Sequence, residues 1–224
     1  SLNIESSDLM AREITDKLRE FSDDERTSLE TALRKRLFAK YKVQILVKEP
    51  AAPVYTISTE NAPSKGPATA AVTVVMFSDF QCSACAATHP VLQKVLSEYG
   101  DKVRFVPRNF PLTEIHENAF RAAIAASAAQ AQGKFFEFAE ILYRNQTALD
   151  ADSLMKYAAE TGLNLPQFEL DLQSERLAEK VRKDMADGRS YGVMATPSVF
   201  VNGVKVRVTT ADGFREAIDR ALRK

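Results

Sequence analysis

Two residues could do chemistry as a pair: the chain's two cysteines stand together as Cys82-Ser83-Ala84-Cys85. On a helix, residues three apart share a face with Cβ atoms about 5–6 Å apart, which is within reach of a disulfide. A bridge closing so short a loop removes little entropy from the unfolded chain, so a structural staple is a weak use of both sulfurs. The pair has the form of a switchable dithiol–disulfide. Half of a metal site and an inert pair stay open as alternatives. His89, four residues after Cys85, would bring the ligand count to three, which does not close a structural zinc site within one chain. Its other readings are a group that tunes the cysteines and a plain surface histidine. His116, the second histidine, has no partner that the sequence identifies.

The thiolate is the attacking species in disulfide exchange, and a helix N-terminus favours negative charge. The run Val72-Thr73-Val74-Val75-Met76-Phe77 is β-branched and apolar, the pattern of a buried strand. An amphipathic helix is expected to follow, to about Tyr99, with Gly100 as its stop. Cys82 therefore falls where strand hands over to helix. Its sulfur is expected to face first-turn amides, with a pKa below the free value of about 8.5. Cys85, one turn on, is the buried partner that closes or resolves the bond. Ser83 and Ala84 bring no cation, which predicts a moderate shift. A stabilised thiolate also makes the oxidised form the better oxidant.

The elements around this pair define a mixed sheet. Val103–Pro107 reads as a second strand. From Ile115 to about Arg189 the pattern is helical almost throughout, including the alanine-rich Ala119–Ala131 and the cluster Phe135-Phe136-Phe138. Ser198–Val201 and Val204–Val208 form a hairpin about Asn202-Gly203, and Asp212 is expected to cap a last helix. Strands linked by a crossover helix require parallel pairing, so the inserted helices must form a lobe against the sheet. Thr196-Pro197 leads into a strand, where proline removes a ladder donor. Asn145-Gln146-Thr147 matches a glycosylation acceptor only formally.

Residues 1–50 differ from the rest: 20 of the 50 are charged, 10 of each sign, and none is glycine. Ser22-Asp23-Asp24-Glu25 reads as a capping box. Leu29, Leu33, Leu37 and Tyr41 then recur every four residues as one apolar stripe. A preceding helix is expected over about 7–20, and Val43–Val47 reads as a short β-like run. The stripe must pack on the main domain or on another subunit; Arg34-Lys35-Arg36 reads as its solvated face. Prolines 50, 53, 63 and 67 mark an extended tract after it. The predicted divisions are 1–50, an N-terminal helical extension; 51–71, linker and first strand; 72–114; 115–189, the inserted helices; and 190–224. With 30 basic and 30 acidic residues in 224, no global field favours nucleic acid or an anionic membrane. No apolar run approaches the length of about 18 residues that a spanning helix needs. The start at Ser1-Leu2 suggests a removed export signal.

Four segments together resemble the DsbA-like thiol:disulfide oxidoreductases: Phe77-Ser78-Asp79-Phe80-Gln81-Cys82-Ser83-Ala84-Cys85, Arg108-Asn109-Phe110-Pro111-Leu112, Gly133-Lys134-Phe135-Phe136, and Ala195-Thr196-Pro197-Ser198-Val199-Phe200-Val201-Asn202-Gly203. The resemblance covers roughly 53–224 and implies an α/β, thioredoxin-like mixed sheet interrupted by a helical domain. It implies an exposed nucleophile at Cys82 and a resolving thiol at Cys85. It also implies a cis Pro197 beside the sulfurs, with the Thr196 backbone free to pair with an extended substrate strand. Unfolded or misfolded proteins would be the substrates, a membrane redox partner would reset the pair, and no cofactor is required. Three departures bear on redox poise. The motif lacks the histidine of strongly oxidising members, Met76 replaces a buried carboxylate, and His89 replaces an acidic residue. Thr196 resembles the isomerases. The leading helices resemble ScsC-type members that oligomerise through such a segment. The sequence thus favours an exported disulfide isomerase or reductase, with a DsbA-type dithiol oxidase as the alternative. A copper or other metal carrier using Cys82, Cys85 and His89 is the alternative of another class.

Overall fold

The computed structural model describes residues 23–41 and 52–223, and the chain divides into two compact units, Ser1–Ala51 and Ala52–Lys224. In the first, α1 spans Asp23–Lys40. Its stripe is exposed: Leu29 46%, Leu33 56%, Leu37 40% and Tyr41 65%. Lys35 and Arg36 are exposed as expected. The expected cap at Ser22, the helix over 7–20 and the run 43–47 lie outside the described residues.

In the second unit, β1 (Val72–Ser78), β2 (Val103–Asn109), β3 (Ser198–Val201) and β4 (Val204–Lys205) form a sheet in the order β2-β1-β3-β4. The β1–β2 pair is parallel and the others antiparallel. β1 is buried on both faces, which explains its continuous apolar run. Val72, Val74 and Met76 enter one core layer with the cysteines, Leu92, Phe214 and Ile218. Val75 and Phe77 enter the other, with the inserted helices. The crossover from β1 to β2 is α2 (Ser83–Ser97), continuous through Pro90. Gly100 does not stop it; Glu98 is the C-cap, and Gly100 opens a short 3-10 turn.

Between β2 and β3 come α3 (Ala119–Ala131), α4 (Phe135–Arg144), α5 (Ala151–Thr161), α6 (Leu165–Leu172) and α7 (Glu175–Ser190). Ala122, Ala123, Ala125, Ala126, Ala128 and Ala129 of α3 are all buried, so small side chains let its neighbours approach closely. Phe138 meets Phe168 edge-on at 5.5 Å. α7 crosses so near the sheet that a Cβ on Gly188 would lie 2.8 Å from the Phe110 ring and 3.1 Å from that of Phe77.

Three local expectations are corrected. The last helix, α8 (Ala211–Leu222), is capped by Thr210, whose side chain accepts from the Gly213 amide. Thr210 holds the extended backbone that a cap requires, whereas Asp212 lies inside the first turn and pairs with Arg215. The hairpin forms at Asn202-Gly203, both at positive φ, but β4 ends at Lys205. Over 52–71 there are only isolated bridges, Val54 to Val204 and Lys65 to Phe105, in place of a strand.

Candidate active site

Cys82 is the N-cap of α2 in extended conformation. Its carbonyl accepts from the amides of Cys85 and Ala86 at 3.0 and 3.2 Å, which starts the helix. Ser83 and Ala84 are exposed. Cys82 is 8% exposed and Cys85 0%, both as free thiols. This corrects the expectation of an exposed nucleophile. The Cys82 sulfur makes no capping bond to first-turn amides. It donates to the Thr196 carbonyl at 3.5 Å and is covered by it. Of the two cysteines, Cys82 keeps the greater exposure.

The Thr196-Pro197 bond is cis, and Thr196 is buried. Its Oγ1 carries no full hydrogen bond and, with the Ser78 hydroxyl, faces the Cys85 sulfur. Burial pushes the Cys85 thiol up to about 12, against the lowering influence of the Asp79 amide and of the Ser78 and Thr196 hydroxyls. Neutral Cys85 therefore sits behind Cys82, with these hydroxyls close enough to its sulfur to lower the cost of its charge.

The turn before Cys82 is braced by contacts that the sequence did not reveal. Asp79, 1% exposed, accepts from the amides of Gln81 and Leu112, both at 2.7 Å, and meets His116 Nδ1 at 2.8 Å. His116 thus has a partner, 37 positions away. Gln146, from the formal glycosylation triplet, donates to the carbonyls of both Phe80 and Cys82 at 2.8 Å. Spacing gave no signal for either contact, because both cross from the inserted segment.

His89 is not a surface residue. It is 6% exposed, its Nε2 lies 2.6 Å from Glu140 Oε1, and its ring stacks on Tyr143 at 4.7 Å. The Tyr143 hydroxyl meets Ser78 Oγ at 2.5 Å, and burial raises its phenol well above the ordinary range. Met76 is buried beside this group in a narrow cleft with Phe105 and Phe136. Among the described residues no three His, Cys, Asp or Glu side chains converge to hold a metal ion. His89 faces the inserted lobe, which leaves a carrier built on Cys82, Cys85 and His89 without its third ligand.

A family model described as thioredoxin matches residues 58–220. The chain belongs to the thioredoxin family. It resembles a thioredoxin-like oxidoreductase from Silicibacter pomeroyi, with 29% identity and a TM-score of 0.67 over 74% of this chain and 94% of that one. Wolbachia pipientis alpha-DsbA1 shares the fold, with a TM-score of 0.64 at 18% identity, over 75% of this chain and 96% of that one. The fold is thioredoxin-like and shared with that DsbA, as the four sequence segments implied. In sequence the chain is also 35% identical over 138 residues to a Na(+)/H(+) antiporter, NhaA 1, of Mycolicibacterium vanbaalenii. The match takes in 61% of this chain and 22% of the antiporter, so the chain spans about a fifth of that relative. Among the described residues no helix is long and apolar enough to cross a membrane. The thioredoxin family membership and the paired thiols support thiol:disulfide exchange as the general activity.

Proposed function

We propose that the chain is an exported thiol:disulfide oxidoreductase acting on unfolded or misfolded proteins, as an isomerase or reductase. Cys82 attacks a substrate disulfide, one substrate sulfur leaves with its electron pair, and a mixed disulfide forms on Cys82. Cys85 then attacks the Cys82 sulfur, releasing the second substrate sulfur and closing Cys82–Cys85. The observation that carries this reading is the stacking of the two thiols at the mouth of α2, graded in exposure, opposite Thr196-Pro197. The substrate class is supported by two exposed apolar side chains close in sequence to residues of the site. Met194, 86% exposed, lies two residues before Thr196, and Ile115, 72% exposed, adjoins His116. Apolar side chains there suit segments that a folded protein would bury.

Isomerisation is favoured by the exposed stripe of α1, which supports self-association through residues 1–50 and several active sites per particle. A membrane redox partner would reset the pair. The test is recovery of activity from a scrambled-disulfide protein. Wild type restores it; dithiol oxidation without reshuffling removes the isomerase assignment in favour of a dithiol oxidase. Cys82→Ala abolishes exchange and Cys85→Ala accumulates mixed disulfides; equal residual turnover in both contradicts the roles. Removal of residues 1–50 lowers the mass seen in light scattering, and a monomeric wild type rules out association.

A further inference from the structure

The resolving step presents a problem that the two cysteines do not solve alone. Cys85 is fully buried, yet its sulfur must carry negative charge, as nucleophile in one direction of exchange and as leaving group in the other. The carboxylate of the Asp79 turn is committed to two amides and His116. In the cleft on the other side, Met76, Phe105 and Phe136 are apolar and His89 is turned to Glu140. Beside the Cys85 sulfur stand two hydroxyls, Thr196 Oγ1, which has no hydrogen-bond partner, and Ser78 Oγ, which is joined to a further hydroxyl, Tyr143 Oη, at 2.5 Å.

We propose that Ser78 and Tyr143 form a reversible hydroxyl relay that serves Cys85, with Tyr143 of the inserted lobe acting as a positioning residue through Ser78. A hydroxyl has one hydrogen and two acceptor sites, so the pair has two orientations. With Cys85 as a thiol, its hydrogen can point at Ser78 Oγ while Ser78 donates to Tyr143. As the Cys85 proton passes to the departing substrate sulfur, both hydroxyls rotate: Tyr143 donates to Ser78 and Ser78 donates to the Cys85 sulfur. The Cys82–substrate bond breaks, the Cys82–Cys85 bond forms, and no net proton enters the pair. Reversal of exchange runs the same rotation backwards. The ring of Tyr143 packs against the rings of His89 at 4.7 Å and Phe80 at 4.9 Å, which restrains where its oxygen lies. Charged and titratable neighbours of Cys85 are Cys82, Asp79 and Tyr143 itself.

The inference rests on the dithiol reading above, and one experiment separates the two. In the full chain, attack by Cys82 on a peptide disulfide is timed in the Cys85→Ala background, and resolution of the mixed disulfide is timed with Cys85 present. Tyr143→Phe keeps the ring and removes the hydroxyl; Ser78→Ala removes the direct donor. A hydrogen bond to a charged group sets the scale, so Ser78→Ala slows resolution about tenfold or more and Tyr143→Phe by a smaller factor. The pH midpoint of resolution moves up in both, and the rate of attack stays as in wild type. If both variants resolve with the wild-type rate and pH profile, or if attack and resolution slow together, the relay is wrong. If Cys85→Ala traps no mixed disulfide, the assigned thiol roles fail and the relay falls with them.

Discussion

Removing Arg108 tests how the inserted lobe is fastened to the sheet. Its guanidinium is buried and meets Asp184 Oδ1 at 2.7 Å and Asp187 Oδ2 at 2.8 Å, both from α7. It also donates to the Ser58 carbonyl, and it lies over the Phe77 ring. Burial pulls its pKa down, and the two aspartates outweigh that and hold it above the ordinary value. In Arg108→Met, the Asp184 carboxylate, 9% exposed, loses its buried counter-ion. Breaking a buried pair from one side costs about 3–5 kcal/mol. Asp184 keeps two bonds from Asn109, from the amide and from Nδ2, at 3.1 Å each. Asp187 keeps Lys183, so the lower end, about 3 kcal/mol, applies. For a unit of this size the melting temperature then falls by about 6–12 °C. Thermal unfolding of reduced protein followed by circular dichroism measures it. Adding Asp184→Asn removes the stranded charge and recovers part of the loss, a coupling of about 1 kcal/mol or more between the sites. A single variant melting within about 2 °C of wild type, or strict additivity in the double variant, refutes the reasoning.

Gly188→Ala forces a methyl to within 2.8 Å of Phe110; overpacking of this kind costs about 1–3 kcal/mol in urea unfolding, and an unchanged midpoint contradicts the close approach of α7. Cys85 binds its proton more tightly folded, at about 12, than at the ordinary 9.0, so its contribution stands below pH 9.0 and is lost as pH rises toward about 12. Reduced wild type should therefore lose stability over that range more steeply than Cys85→Ala, and parallel pH profiles count against it. Gln146→Ala removes two hydrogen bonds to the active-site turn, about 1 kcal/mol each. It lowers both stability and exchange rate, and unchanged values in both deny it a bracing role.

The parts of this molecule that its sequence disclosed are those set by neighbours in the chain. β1 was legible because it is buried on both faces and so carries an unbroken apolar run. The hairpin was legible because Asn202-Gly203 supplies two residues tolerant of positive φ. The cysteine pair was legible from spacing alone. What stayed hidden depends on contacts that close only in the folded chain. His116 finds Asp79 across 37 positions, Tyr143 finds Ser78 across 65, and Gln146 reaches the Cys82 carbonyl across 64. No local period records such meetings. The cover over Cys82 is of the same kind, since the Thr196 carbonyl arrives from 114 positions away. Thr210 prevailed over Asp212 as cap for a subtler reason: both side chains are competent, and backbone angles decided.

The two seams of the insertion have a mechanical consequence. The chain leaves the sheet through Leu112, whose amide is tied to Asp79, and returns through Thr196, which touches the Cys82 sulfur. Both joints open onto the reactive pair. A swing of the lobe would load the bonds at these two joints, so a partner gripping the far side of the lobe would hold a lever on the redox chemistry.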